Sequence, residues 1–430
     1  MGLEILLVVL YVALFAALIY KCKWFKLNVF SVNYVLLFFV LKVAGALAYG
    51  LVFEFHYNRQ GDSWGYYYQG IVLRELIHTD FSAWLKINFG LARGYGIPEE
   101  YKEYFYDAVY WNNSGSNMMV RFTSLASWLA FGKFYVLSVF SAFISFLGCI
   151  LTVKSVEYLV PQKIKILTIL IFLFPSVCFW GSGLHKEPWV ILGLGLILYS
   201  LFKLNASFSA KKLITLILGV LLLLLFRNYF LFILIPGLIA FGVCKFYPKY
   251  SPIKYVAIYL IVIFLGVTVL PKVSNTMNPM ALLFIKHSQF QIFKGGANFE
   301  ATPLKPTLKS FIVNSPKAFY NVFFRPLKKE VRKKMQWLSY AEARFIFLFF
   351  LFALFFLSWK KIKDKNLFLL LLFYSASILW TIGMIVPNFG TIARYKSAVL
   401  PVILCLIVMA IDDEKVMRIL RKIRPSKQIK

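Results

Sequence analysis

Three features of this sequence predict an all-α, polytopic helical membrane protein with about eleven transmembrane spans and amphipathic helices in its first outer loop. Of 430 residues, 60% are hydrophobic and only 15% are charged, where a soluble domain carries about a quarter charged residues. Apolar runs of about 20 residues recur along the whole chain, each long enough to cross a hydrocarbon core of roughly 30 Å. Between many of these runs sit short loops rich in lysine, the pattern of cytoplasmic loops under the positive-inside bias. Mean hydropathy, +0.73, agrees with this class.

Taken in order, span 1 covers about 3–20 and is followed by Lys21, Lys23 and Lys26. Those lysines place the next segment inside, so the N-terminus is expected outside. The start of the chain lacks a basic leader and a small-residue cleavage site, so it reads as a first span rather than a removed signal. Span 2, about 32–53, leads into an outer loop at about 54–117. Within it 71–77 and 83–89 have helix-like apolar patterns suited to the membrane surface, and Gly94-Tyr95-Gly96-Ile97-Pro98 should break them. A further interfacial or re-entrant helix is expected at 118–130, with Arg121 facing protein or water rather than lipid.

Span 3 covers about 134–153, and Lys154, Lys163 and Lys165 follow it inside. Span 4, about 166–180, runs out to the hairpin Gly181-Ser182-Gly183-Leu184-His185-Lys186-Glu187-Pro188, and span 5 returns over about 189–202. Spans 6 and 7, about 213–226 and 230–243, meet at Arg227-Asn228-Tyr229 outside. Span 8, about 255–270, opens a second outer segment at about 271–336, which carries the basic run from Arg325 to Lys334. Spans 9, 10 and 11 cover about 345–358, 367–386 and 398–411. The expected organisation is one transmembrane domain over 1–411 and a basic, helical cytoplasmic tail over 412–430.

The net charge of +30 comes from 48 basic and 18 acidic residues. Loop lysines and contact with anionic membrane lipids account for most of it, so no nucleic-acid partner is expected. The five cysteines form no close pair and no CxxC, which argues against a disulfide framework and a metal site. No Walker motif is present, which argues against an ATP-driven pump. No cofactor is expected, with a divalent metal left open.

The charges that cytoplasmic loops do not explain fall on the outer side: Asp62, His185, Lys186, Glu187, Arg227, Arg325, Arg394 and Lys396. Ionisable groups at a membrane edge are expensive and are usually kept for a site, and arginine matches phosphate with paired N–H donors. Asp62 sits in Gly61-Asp62-Ser63-Trp64-Gly65-Tyr66-Tyr67-Tyr68, among aromatics that suit sugar stacking. Each residue also has a plainer reading. Asp62 and Ser63 are good helix N-caps. The 185–187 turn could be a hydrated hairpin with a Lys–Glu pair. Arg227 and Arg394 could snorkel from span ends.

Asp62 at the start of the first long outer loop resembles the acidic residue of membrane-embedded GT-C glycosyltransferases. Arg394-Tyr395, with Pro401 six residues after Tyr395, looks like the RY…P element of the members that use polyprenyl-phosphate sugars. The Phe174-Pro175-Ser176…Trp180…Lys186-Glu187 hairpin and Phe324-Arg325-Pro326 are similar to elements of bacterial envelope-polysaccharide membrane proteins. The resemblance implies sugar transfer from a polyprenyl-phosphate-linked donor to a glycan or lipid acceptor, at the non-cytoplasmic face of the bacterial inner membrane. Asp62 would be the general base or orient the acceptor hydroxyl. Arg394, with Tyr395, would hold the donor phosphate, and His185, Lys186, Glu187, Arg227 and Arg325 would complete the binding site. The chain departs from the family at Gly61-Asp62-Ser63, which offers one carboxylate where many members carry an acidic pair; Glu54 is close but at a span end. The other readings are a Wzy-like polymerase and a flippase or transporter of a lipid-linked saccharide. A transporter should show mid-membrane charges and inverted repeats, and no repeat is apparent.

Overall fold

The computed structural model describes residues 2–90, 105, 108–111, 113–206, 209–274, 278–292 and 297–423, and these are helical, with no strand among them. The helices are α1 (Gly2–Lys21), α2 (Val32–Leu51), α3 (Asp62–Thr79), α4 (Phe81–Phe89), α5 (Ser114–Leu129), α6 (Phe134–Val156), α7 (Ile164–Leu173), α8 (Pro175–Phe179) and α9 (Glu187–Ala206). There follow α10 (Ala210–Phe246), α11 (Ser251–Thr268), α12 (Leu270–Val273), α13 (Pro279–Ile292), α14 (Leu308–Phe324), α15 (Lys334–Phe355), α16 (Lys365–Ile385), α17 (Phe389–Ala410) and α18 (Asp413–Ile423).

Among the described residues eight helices are long and apolar enough to cross a membrane: Gly2–Lys21, Val32–His56, Phe134–Val156, Ala210–Phe246, Ser251–Val273, Gln336–Phe355, Lys365–Ile385 and Phe389–Ala410. The difference from about eleven expected spans has local causes. Span 4 is cut by Pro175 into α7 and the five-residue α8, because a residue before proline is pushed out of the helical region. Phe174 duly has ψ of 122°. Spans 6 and 7 lie in one 37-residue run, α10, interrupted at Arg227 by φ −152° and ψ 71°. Span 5 is α9.

Among its described residues, the segment expected as the first outer loop, about 54–117, is more helical than its irregular sequence suggests. Its expected amphipathic segments fall in α3, α4 and α5, while Gly94–Pro98 lies outside the described residues. Asp62 and Ser63 are not the cap of α3. Gly61 holds that position with φ +113°, a conformation glycine adopts readily and other residues resist. The side chains of Asp80 and Asn113 cap α4 and α5 instead.

The chain forms two compact units. The first comprises Met1–Tyr158, Ile164–Phe232 and Ser397–Pro401. In it α6 and α9 approach closely. A Cβ on Gly195 would lie 2.5 Å from the Gly148 carbonyl oxygen, and one on Gly148 would lie 2.6 Å from the Ile191 backbone. Such small-residue contacts are how helices approach in lipid. Buried Ser138, Ser141 and Ser145 run along α6. Phe38 of α2 stacks on Phe172 of α7, centroids 4.9 Å apart.

The second unit comprises Leu159–Lys163, Ile233–Lys396 and Val402–Lys430. Here α14 packs on α16. A Cβ on Gly383 would meet the Ala318 carbonyl oxygen at 2.0 Å, and Asn321 Nδ2 donates to the Gly383 carbonyl at 3.1 Å. Residues 297–299 pair with 387–389 through Phe299 N–H to Pro387 O and Phe389 N–H to Ala297 O, both 3.0 Å. The start of α18 is tied by Lys361–Glu414 at 2.6 Å and Lys163–Asp413 at 3.5 Å.

Candidate functional site

In the first unit, α3, α5 and α9 begin around one buried polar centre. A helix N-terminus carries partial positive charge and unpaired N–H groups. Ser63, the second residue of α3, donates from Oγ to the Tyr49 hydroxyl at 3.0 Å and lies 3.2 Å from His185 Nε2. The His185 ring stands edge-on to Tyr49, centroids 4.8 Å apart. Gly183 makes this approach possible, since a Cβ there would sit 2.7 Å from the Tyr49 ring.

Lys186 turns toward α5 and donates from Nζ to Ser116 Oγ at 2.8 Å and to Asn113 Oδ1 at 3.3 Å. It also lies 5.8 Å from the centroid of the Tyr66 ring. Glu187, at the first position of α9, accepts from Arg227 Nη2 at 2.5 Å. The pair is buried, with side chains 1% and 8% exposed. Arg227 Nη1 also reaches the Tyr229 hydroxyl at 3.0 Å. The break in α10 at Arg227 lies beside α5, because Gly115 would meet the Phe226 carbonyl oxygen at 2.1 Å if it carried a Cβ. Trp189 stacks on Phe226, centroids 4.4 Å apart and planes within 4°.

His185, Lys186, Glu187 and Arg227 therefore meet, with Asp62 adjoining Ser63 at the half-buried start of α3. Two plain readings are overturned. The 185–187 turn is not a hydrated hairpin, because its three side chains are buried and Glu187 carries an ion pair to Arg227. Arg227 does not snorkel, because the helix break turns it onto Glu187.

Arg325, Arg394 and Tyr395 belong to the second unit. Arg325 pairs with Glu330 at 3.1 Å and lies 4.2 Å from the Phe299 ring centroid. Glu330 is the one carboxylate of the basic run. Arg394 is half-buried on α17, with its guanidinium 5.3 Å from the Tyr395 ring centroid. Tyr395 is buried and faces Phe290, centroids 6.2 Å apart. Next to them Lys396 is buried and donates to the Val322 carbonyl at 3.2 Å.

Sequence reading does not single out Tyr49, Asn113, Ser116 or Lys42. Lys42 had a signal, a lone cation within a long apolar run. It is fully buried in α2 and donates from Nζ to Ser145 Oγ and to the Val177 carbonyl, both at 2.8 Å. That carbonyl lies in α8, just before the Gly181–Glu187 turn, so Lys42 braces the end of the broken helix that carries the site.

Comparison with family models, curated proteins and solved structures gives no match.

Chemically, the first unit offers a hydroxyl within reach of an imidazole and two fixed cations. Buried carboxylate and guanidinium face each other there, and a half-buried carboxylate stands at a helix start. Among the described residues no group of three or more His, Cys, Asp or Glu side chains is placed to hold a metal ion.

Proposed function

We propose that this protein transfers a sugar from a polyprenyl-phosphate-linked donor to an acceptor hydroxyl at the non-cytoplasmic face of a bacterial inner membrane, in cell-envelope glycan assembly, as GT-C enzymes do. The observation that carries this reading is the buried Glu187–Arg227 pair beside Lys186, His185 and Ser63, at the start of three helices. Desolvated charges are expensive and seldom kept without use. In the proposed step the acceptor oxygen bonds to the anomeric carbon and the bond from that carbon to the phosphate oxygen breaks. The acceptor proton passes to Asp62, and the lipid phosphate leaves with the bonding electron pair. A base within hydrogen-bond reach and fixed positive charge at the leaving phosphate are what this step requires. Asp62 is assigned the first role. Lys186 and Arg227 are assigned the second within the first unit, with His185 and Glu187 completing the substrate contacts there; Arg325, Arg394 and Tyr395 are proposed as donor contacts of the second unit.

The same reading takes eleven crossings, with the N-terminus outside and the C-terminus in the cytoplasm. The eight long helices are joined by α9 and by the α7–α8 pair, and α10 is counted twice. A 37-residue helix spans about 55 Å at 1.5 Å per residue, too long for one crossing of roughly 30 Å. In this reading the break at Arg227 is where the run turns between two crossings.

Glycan analysis of cells carrying Asp62→Asn tests the reaction. Loss of product with normal membrane insertion supports it, and unchanged product removes Asp62 from the mechanism. Arg394→Ala should impair donor use more than folding, and loss of the variant from the membrane would make Arg394 structural. A second reading, a carrier for lipid-linked saccharide, is favoured by Lys42, because a mid-membrane ionisable group suits transport. Lipid-linked saccharide crossing proteoliposomes, and stopped by Lys42→Met, would support the carrier instead.

A further inference from the structure

Arg121 is the eighth residue of α5, and its side chain is half-buried. One face of α5, including Gly115, Met119, Val120, Thr123 and Ser127, is buried. Arg121 lies on another stripe at helical spacing, with Met118, Leu125 and Trp128. Leu125 is 37% exposed and Trp128 42%. The end of α5 meets α1, a helix long and apolar enough to cross a membrane, since the Tyr11 hydroxyl donates to the Leu129 carbonyl. Near the same end, the Tyr135 N–H of α6 donates to Glu4 Oε1 of α1 at 3.1 Å.

The environment of Arg121 differs from that of other arginines in this unit. Arg59, Arg74 and Arg227 each have a carboxylate within 4.0 Å. Arg121 has no ion pair among the described residues, and its buried Nε has no hydrogen-bond partner there. Burial pushes its guanidinium below the ordinary range, and no neighbouring charge opposes that. A desolvated cation is expected to have an anionic partner. A guanidinium matches phosphate with paired donors, and the exposed Leu125 one turn on suits a hydrocarbon chain, while Trp128, two turns on, packs with the Arg74 guanidinium 5.5 Å from its ring centroid. The N-terminal turn of the same helix holds Lys186 through Ser116. Five residues separate Ser116 from Arg121, a rise of about 7.5 Å.

We propose that Arg121 receives the phosphate of a lipid-borne substrate from the bilayer, on an access route along the exposed stripe of α5 toward Lys186. This rests on the lipid-phosphate donor reading above and adds where that lipid arrives.

The test uses full-length protein in detergent and sugar-free probes. These are an isoprenyl monophosphate, its parent alcohol, phosphatidylglycerol and inorganic phosphate, with binding followed by tryptophan fluorescence or native mass spectrometry. Wild type should bind the monophosphate at least about tenfold more tightly than the alcohol, as expected for a hydrogen bond to a charged group. Arg121→Gln should bring the two within about twofold. Arg121→Lys should keep the preference but weaken it, because a point charge replaces a fork, and it serves if the glutamine variant does not fold. Undiminished preference in either variant overturns the proposal. So does Arg121-dependent binding of phosphatidylglycerol or inorganic phosphate as tight as that of the monophosphate. Binding is scored with sugar-free probes and sugar transfer with the donor, so the two readings fail separately: wild type that shows the Arg121-dependent preference but transfers no sugar loses only the transfer reading.

Discussion

Removing one partner of the Glu187–Arg227 pair tests whether the centre is held by charge. The N–O separation is 2.5 Å and both side chains are nearly excluded from solvent. Charge centres about 4 Å apart attract by about 4 kcal/mol at an effective dielectric of about 20. Arg227→Met leaves the Glu187 carboxylate buried beside an apolar side chain, and breaking such pairs typically destabilises by about 3–5 kcal/mol. Glu187→Gln should destabilise less, because a neutral amide can still accept from the guanidinium while the unpaired cation remains. Replacing both, as Glu187→Leu with Arg227→Leu, should recover most of the loss. Denaturant unfolding in detergent micelles across the full cycle measures the coupling. The assignment to function adds a second axis: the double variant should regain stability but not sugar transfer. A loss below about 1 kcal/mol in Arg227→Met would refute the buried-pair argument. Sugar transfer restored in the double variant would make the pair structural alone.

Other perturbations follow from the same contacts. Gly115→Ala should destabilise by about 1–3 kcal/mol, because the new methyl would meet the Phe226 backbone at 2.1 Å; wild-type unfolding would contradict that approach. Lys42→Met should lose about 1–3 kcal/mol with the bonds to Ser145 and Val177, and trypsin sensitivity at the 181–187 turn would report whether the brace is released. His287 is buried in α13, and burial holds its pKa below the ordinary 6.5. The unfolded state then binds more protons, so stability should fall as pH drops below about 6.5, levelling off below the folded pKa. His287→Gln should flatten that slope in acid unfolding curves, and an unchanged slope would assign it to other groups. Cysteines introduced singly near residues 60 and 361 should label from opposite sides of the membrane if the loops alternate as proposed.

Much of the architecture is legible in the chain itself. Hydropathy is a local sum, and a run of about 20 apolar residues needs no distant partner to choose a helix in lipid. The breaks are local too. Pro175 divides one run because it lacks a backbone donor and restricts Phe174, and the polar Arg227-Asn228-Tyr229 marks the place where α10 is interrupted. The count of long apolar helices is less direct, because those same breaks merge or shorten what the sequence presents as separate spans.

Which charge meets which is a different kind of information. Packing of α5 against the start of α9 gives Lys186 the partners Ser116 and Asn113, 70 and 73 positions away in sequence. Glu187 goes to Arg227, 40 positions on, because the break in α10 aims that guanidinium inward. Composition flags these residues as costly to bury, but only helix rotation and approach, set by glycines 115, 148, 183 and 195, decide their partners. Arg121 carries the same lesson in reverse: the sequence shows a cation on a helix, and only the packed fold leaves it half-buried with no ion pair among the described residues.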